Sequence, residues 1–147
     1  MFKQLIEQQR VTFAEKFERW EDAVAAAAQP LVRDGAIDTS YITAMIDSIH
    51  KFGPYIVIAP NLAMPHAKGG SIGVHETAIS FMKVHQPVHF GDSSEQDAQL
   101  LFVVASVDDE AHLGMLQALV EAISVENFLE RLGDIQSLED LQQLISE

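Results

Sequence analysis

Apolar positions in the first part of the chain recur at helical spacing. Trp20, Val24, Ala27 and Leu31 lie four, three and four residues apart, which predicts a helix with one buried face. Pro30 interrupts this pattern. Because proline lacks an amide donor and clashes with the preceding helical turn, we expect a kink or an early helix end there.

A second helix is marked at both of its ends. Residues 38–40 (Asp-Thr-Ser) supply side chains that favour a helix start, and Gly53 followed by Pro54 favours a helix end. Between them, the buried stripe is formed by Ile42, Met45, Ile46 and Ile49.

Short runs rich in β-branched residues predict strands at residues 55–59, 77–84 and 100–107, and residues 11–17 could add an edge strand. The run 100–107 (LLFVVASV) contains no charge. A strand that is apolar on both faces is covered on both sides, as in a sheet between helices.

Two further helices are predicted in the last third of the chain. Acidic residues 108–110 favour a helix start, and the apolar positions Leu116, Leu119, Val120 and Ile123 follow at helical spacing. Ser137 and Asp140 resemble a capping box in front of the inward-facing positions Leu138, Leu141, Leu144 and Ile145. Helices and strands therefore alternate, which predicts an α/β sandwich around a small mixed sheet.

Composition narrows the possible partners. The 147 residues suit a single domain, residues 1–147, and a formal net charge of −13 argues against nucleic acid and anionic lipid as partners. The absence of cysteine excludes disulfides, thiolate zinc sites and a cysteine nucleophile. No apolar run approaches the ~20 residues of a membrane span, and the N-terminal residues do not resemble a signal peptide, so we expect a cytoplasmic protein.

Two patterns that resemble known catalytic motifs are weak. His85 and His89 have the spacing of helical metal ligands, but Pro87 and the extended flanking pattern favour exposed strand or loop histidines. Residues 69–73 (GGSIG) match the nucleophile elbow formally, yet no buried strand precedes them, so a flexible turn is expected. There is no Walker A or G-x-G-x-x-G motif to support nucleotide binding.

Two histidines are stronger candidates. His66 follows Pro65, whose fixed φ stiffens the segment, and precedes the small residue Ala67. His112 falls in the first turn of the helix after the most buried strand, where free amides favour an anion. From the residues alone, His112 could equally continue the apolar stripe of that helix as a half-buried ring.

The run from Gly53 to Ala67 (GPYIVIAPNLAMPHA) resembles the active-site signature of EIIA components of the bacterial phosphoenolpyruvate-dependent sugar phosphotransferase system, mannitol/fructose class. The GPYIVIAP segment is most similar to the ascorbate-specific subgroup. The likeness also covers residues 20–24 (WEDAV), the VDDEAH segment that ends at His112, and the ENFLERL and SLEDL segments. The resemblance implies a three-layer α/β/α sandwich with a mixed sheet.

The resemblance also implies a function and its residues. His66 would accept a phosphoryl group from phospho-HPr and pass it to an EIIB component, and His112 would stabilise the phosphoryl oxygens. Membrane EIIC would be involved only indirectly, no metal, nucleotide or other cofactor would be needed, and ascorbate or a related carbohydrate would be transported. We expect an apolar docking patch around His66, to which Leu62 and Met64 could contribute, although core burial is the more common fate of such side chains.

The chain departs from the family pattern at two places. Asn61 stands where the subgroup has glycine, and asparagine tolerates a positive φ better than most residues. The arginine of mannitol-type members has no evident counterpart, which leaves Lys51 nearby and Lys68 as a weak candidate for balancing the phosphoryl charge.

Two alternatives to a phosphocarrier stay open. One is a regulatory module of the same fold, in which phosphorylation of His66 controls binding to a non-transport partner. The other is a metal-dependent or serine hydrolase, which stoichiometric zinc or ester turnover would reveal.

Overall fold

Helices and strands alternate along the chain in a computed structural model that describes residues 1–147. The helices are α1 (Phe2–Glu7), α2 (Trp20–Arg33), α3 (Thr39–Phe52), α4 (Asp109–Ile123), α5 (Phe128–Leu132) and α6 (Leu138–Ile145). The strands are β1 (Val11–Ala14), β2 (Val57–Ala59), β3 (Asn61–Ala63), β4 (Ala78–His89) and β5 (Asp97–Ala105). No helix has both the length and the apolar character to cross a membrane.

The five strands form one mixed sheet in the order β1-β4-β5-β3-β2. The pairs β1–β4 and β3–β5 are parallel, whereas β4–β5 and β2–β3 are antiparallel. The α/β class and the mixed sheet predicted from the sequence are thus confirmed, and the candidate edge strand lies at the edge as β1.

Helices cover both faces of the sheet. Along β5, Leu101 and Val103 pack with the apolar faces of α2 and α3, while Leu100 and Phe102 pack with residues of α1, α4, α5 and α6. Successive side chains of a strand point to opposite faces, so the uncharged part of β5 divides its side chains between two cores. The result is the expected three-layer α/β/α arrangement.

Several predicted boundaries shift in the structure. The run 55–59 is a strand only from Val57 to Ala59, because residues 54–56 form a turn at the end of α3. The strand predicted at 77–84 extends to His89, and the one predicted at 100–107 begins at Asp97 and ends at Ala105. Three short elements, α1, β3 and α5, were not predicted because each has too few residues to show a period.

One of the two alternatives predicted at Pro30 and one position predicted in the last helix are wrong. α2 does not end at Pro30 but continues to Arg33, since a proline in the last turn removes only one amide donor and the amide of Asp34 still bonds to the Pro30 carbonyl at 3.1 Å. Leu138 does not face inward: at the first position of α6 it is 40% exposed, whereas Leu141 and Leu144 are buried as expected. α3 ends as predicted, with Gly53 at φ +81°.

A bulge sets the pairing of β3 with β5. Asn61 pairs with Ala98 and Leu62 with Leu100, so Gln99 is an extra residue on β5. Asn61 has φ +66°, in agreement with the tolerance for positive φ expected of asparagine, and its Oδ1 accepts a hydrogen bond from the Gln99 amide at 2.8 Å.

Candidate active site

Two neighbouring parallel strands bring the predicted histidine pair together. His66 lies three residues after the end of β3, and His112 lies in the first turn of the helix that follows β5. Parallel strands end at the same edge of a sheet, where ligands bind in open α/β folds. The centroids of the two imidazole rings are 5.2 Å apart, with the ring planes inclined by 34°.

The segment before His66 is held by backbone hydrogen bonds on both sides. The Met64 amide donates to the Ile56 carbonyl at 2.8 Å, and the Val104 amide of β5 donates to the Pro65 carbonyl at 3.0 Å. Met64 and Pro65 are buried. The backbone that carries His66 is therefore part of the sheet edge rather than a free loop.

A buried tyrosine holds the segment on the other side of His66. The Tyr41 hydroxyl accepts from the Ala67 amide at 3.0 Å and donates to the Val104 carbonyl at 2.7 Å. Its residue is only 1% exposed, and burial raises the pKa of Tyr41 to about 12, which keeps the hydroxyl protonated. Tyr41 thus ties the chain after His66 to the end of β5.

One ring nitrogen of His66 is engaged and the other is not. Nδ1 lies 2.6 Å from the Met64 carbonyl oxygen, and because a carbonyl only accepts, Nδ1 carries the hydrogen and Nε2 carries the lone pair. Burial lowers the pKa of His66, and the neighbouring His112 lowers it further, against the opposing effect of the Met64 carbonyl. The ring is half-buried and stays neutral at physiological pH, as a nucleophile requires.

His112 is anchored from beneath by a serine. Its Nδ1 lies 3.2 Å from the hydroxyl oxygen of Ser106, which is 2% exposed at the end of β5. The Asp108 carboxylate caps the helix by accepting from the Ala111 amide at 2.8 Å. The half-buried ring of His112 therefore combines the two interpretations that the sequence left open: it is partly packed, and it lies at a helix N-terminus facing His66.

A pocket of about 420 Å³ opens beside the two rings, lined by Ser48, Phe52, Tyr55, His66, Ala67, Lys68 and His112. The Tyr55 ring stands edge-on to that of His66, with centroids 5.2 Å apart and planes at 85°. The Tyr55 hydroxyl donates to the backbone carbonyl of His66, so the aromatic wall also restrains the backbone. Burial raises the pKa of Tyr55.

The glycine-rich segment 69–73 closes the site on the side of α4. The Gly70 amide donates to the Ser106 carbonyl at 2.9 Å, and a Cβ added at Gly69 would lie 2.6 Å from the Asp108 carbonyl oxygen. The Ser71 hydroxyl donates to the Lys68 carbonyl instead of to a base. This segment is a turn docked against the β5–α4 junction, and no nucleophile elbow forms.

The other histidine pattern gives no cluster of ligands. His85 and His89 both lie on β4 and are exposed, and Nδ1 of His89 is 2.8 Å from a carboxylate oxygen of Asp97. No group of three or more histidine, aspartate and glutamate side chains in the chain is arranged to hold a metal ion.

Two exposed apolar side chains line the pocket, whereas Leu62 and Met64 have the core burial that is the more common fate of such side chains. Leu62 and Met64 are 1% and 5% exposed and belong to the core, because β3 and the segment after it are covered by helices. Phe52 and Tyr55 in the pocket wall are 67% and 37% exposed, and Leu113 beside His112 is 58% exposed.

Sequence reasoning missed three residues of the site, namely Tyr41, Tyr55 and Ser106. Tyr41 had a usable signal, since it lies four residues before Met45 and so belongs to the buried stripe of its helix. Tyr55 and Ser106 act on groups that are distant in sequence, and no spacing rule connects them to those groups.

The family described as "Phosphoenolpyruvate-dependent sugar phosphotransferase system, EIIA 2" matches residues 4–147. An ascorbate-specific PTS system EIIA component of Escherichia coli (strain K12) is 31% identical over 143 residues, which are 96% of this chain and 92% of the relative.

Two solved Escherichia coli structures have the same architecture. The solution structure of a mannitol-specific cryptic phosphotransferase enzyme IIA is 31% identical with a TM-score of 0.82, covering 93% of this chain and 92% of that one. A complex of mannitol enzyme IIA with phosphorylated mannitol enzyme IIB matches with 24% identity and a TM-score of 0.77, covering 93% and 94% of the two chains, and at this identity it supports the fold alone.

Proposed function

Because the chain belongs to the EIIA 2 family of the phosphoenolpyruvate-dependent sugar phosphotransferase system, we propose that it carries a phosphoryl group on Nε2 of His66. In this proposal, phospho-HPr is the donor, an EIIB component is the acceptor, and residues 1–147 form one phosphocarrier domain. The observation that supports it is the state of the His66 ring, whose Nδ1 is bonded to the Met64 carbonyl at 2.6 Å and whose Nε2 is free.

The chemistry needs only the chain and its two partners. The lone pair on Nε2 of His66 attacks the phosphorus of a phosphohistidine on HPr, and a new N–P bond forms as the donor N–P bond breaks. The donor ring leaves with the bonding electron pair. The hydrogen on Nδ1 stays in place, where the Met64 carbonyl stabilises the positive charge that develops as Nε2 binds phosphorus.

His112 stabilises charge on the transferred group. In this proposal the Ser106 hydroxyl donates to Nδ1 of His112, so the hydrogen on Nε2 of His112 is free to bind a phosphoryl oxygen. The ring spacing of 5.2 Å leaves His112 close enough to reach oxygens of a group on His66. Because the equatorial oxygens carry the charge in the transition state, this contact speeds transfer more than it strengthens binding.

The acceptor and the transported compound are proposed from relatives. Membership of the EIIA 2 family favours an EIIB component as the acceptor here, and the solved complex pairs a mannitol enzyme IIA of the same fold with a phosphorylated IIB. Exposed Phe52 and Tyr55 in the pocket wall supply an apolar surface on which both partners could dock in turn. The similarity to an ascorbate-specific component favours ascorbate or a related carbohydrate as the substrate of the whole system.

The test is phosphorylation of the purified chain by phosphoenolpyruvate, enzyme I and HPr, followed by intact-mass and peptide mass spectrometry. We expect one acid-labile, alkali-stable phosphoryl group, its loss in His66→Ala, and its retention in the control His85→Ala, whose ring is exposed on β4. Labelling of His66→Ala at the wild-type level would refute the proposal. A labelled protein that transfers to no candidate EIIB would instead favour the regulatory module.

A further inference from the structure

The pocket beside His66 has a charge to balance. A phosphoryl group brings about 1.5 to 2 negative charges at neutral pH, and the chain already has a formal net charge of −13. The turn that leads into His112 adds Asp108, Asp109 and Glu110, all of them exposed. Since like charges at short range oppose one another, a phosphoryl group here needs a cation within contact distance.

Among the seven residues that line the pocket, Lys68 is the only one that is cationic at neutral pH by its ordinary chemistry. Lys51 is close in sequence to the other wall but does not line the pocket, and its Nζ lies 5.1 Å from the centroid of the Phe52 ring. The two exposed lysines therefore differ in position with respect to the phosphoryl group, although they carry the same charge.

The backbone around Lys68 is fixed although its side chain is exposed. On one side, the Ala67 amide is bonded to the Tyr41 hydroxyl at 3.0 Å. On the other side, Gly69 packs against the Asp108 carbonyl so closely that no Cβ would fit, and the Lys68 carbonyl accepts from the Ser71 amide at 3.1 Å. The Cα of Lys68 is thereby held beside the rings, and its long side chain is free to turn toward the phosphoryl oxygens.

We propose that Lys68 is a further catalytic residue, whose ammonium group binds the phosphoryl oxygens during transfer and on phosphorylated His66. This inference rests on the proposed function, because it needs a phosphoryl group on His66. Lys68 neither forms nor breaks a covalent bond and keeps its proton; it acts as a charge and a hydrogen-bond donor.

The test compares Lys68→Gln and Lys68→Arg with the control Lys51→Gln, which removes the same charge outside the pocket. The donor is phosphoramidate, a small molecule with no docking surface, and the rate of phosphorylation of His66 is followed by mass spectrometry. We expect Lys68→Gln to be slower by roughly 10- to 100-fold, as for the loss of one hydrogen bond to a charged group. Lys68→Arg should stay within about threefold of wild type, and Lys51→Gln should match wild type.

A second readout follows the product. In ³¹P NMR titrations the phosphoryl group on His66 should release its last proton at a higher pH in Lys68→Gln than in wild type, and Lys51→Gln should leave it unmoved. If wild type is labelled on His66 but Lys68→Gln and Lys51→Gln react at equal rates, the role of Lys68 is overturned and the proposed function is not. If Lys68→Gln is slower with phospho-HPr but not with phosphoramidate, Lys68 is a docking residue and the catalytic role proposed for it is overturned. A wild type that is not labelled on His66 would overturn the proposed function together with this inference.

Discussion

The Tyr41 hydroxyl joins two backbone groups that have little access to water, and Tyr41→Phe removes it without changing the ring. Ala67 and Val104, whose amide and carbonyl it bonds, are 6% and 0% exposed. Removing one partner of a buried hydrogen bond leaves the other unsatisfied at a cost of about 1–3 kcal/mol. Two such groups give an expected loss of about 3 kcal/mol, which allows for partial relaxation of the segment.

For a chain of 147 residues, a loss of about 3 kcal/mol corresponds to a melting temperature lower by roughly 6–12 °C. The matched control is Tyr55→Phe, the same chemical change at a residue that is 37% exposed. Water can replace the hydroxyl there, so we expect a loss below about 1 kcal/mol. Urea denaturation and thermal unfolding of both variants measure the two values.

The same variant should affect the reaction. Without the Tyr41 hydroxyl, the segment after His66 is no longer tied to the end of β5, so the imidazole of His66 loses part of its fixed position. Transfer from phospho-HPr should therefore slow at a temperature where the protein is folded. The reasoning is refuted if Tyr41→Phe unfolds within about 0.5 kcal/mol of wild type, or if it cannot be distinguished from Tyr55→Phe.

Three further predictions concern the rings and the turn beside them. In ¹⁵N NMR titrations His66 should show the tautomer protonated at Nδ1 and a pKa below the usual value of about 6.5. The nucleophilic form is then lost only as the pH falls through that lower value. A pKa above about 6.5 would contradict the burial argument. His112→Ala should lower the maximal rate of transfer by roughly 10- to 100-fold and change the apparent affinity for phospho-HPr much less, which steady-state kinetics at varied HPr will show, and an unchanged maximal rate would remove the role assigned to His112. Gly69→Ala should displace the turn and slow transfer, because its Cβ would meet the Asp108 carbonyl oxygen at 2.6 Å. Gly114→Ala has open space around its Cβ and should transfer normally. Equal rates in the two variants would show that the docked turn is unimportant.

The layers of the fold could be predicted because each has a strong local pattern. The uncharged run now seen as β5 is long enough to show that both of its faces are covered, and α3 carries a start signal, a stripe and a terminating Gly53. β3 is only three residues long, so no period is visible in it. The end of α2 was misjudged because the effect of Pro30 depends on how many turns follow it, which the local pattern does not reveal.

The two histidines of the candidate site could be predicted from the sequence, but the residues that hold them in place could not. The resemblance indicated both His66 and His112, the stiff segment at Pro65 drew attention to His66, the position after a buried strand drew attention to His112, and the structure brings the rings together. The exposed residues of the pocket wall were not predicted, because apolar character alone left both a buried and an exposed position open for Leu62 and Met64. Tyr41 was not predicted at all, and nothing in its own helix indicates that its hydroxyl reaches Val104.

The bulge between β3 and β5 bears on the distance between the two histidines, although it lies at the opposite end of those strands. Each residue of a strand advances the chain by roughly 3.3 Å. The extra Gln99 therefore influences which residues of β5 lie beside the segment that runs from β3 to His66. Deleting Gln99 would remove the bulge and place Asn61 and Leu62 opposite consecutive residues of β5. The extra residue Gln99, held by the side chain of Asn61, thus acts as a length adjustment for chemistry that takes place several residues further along.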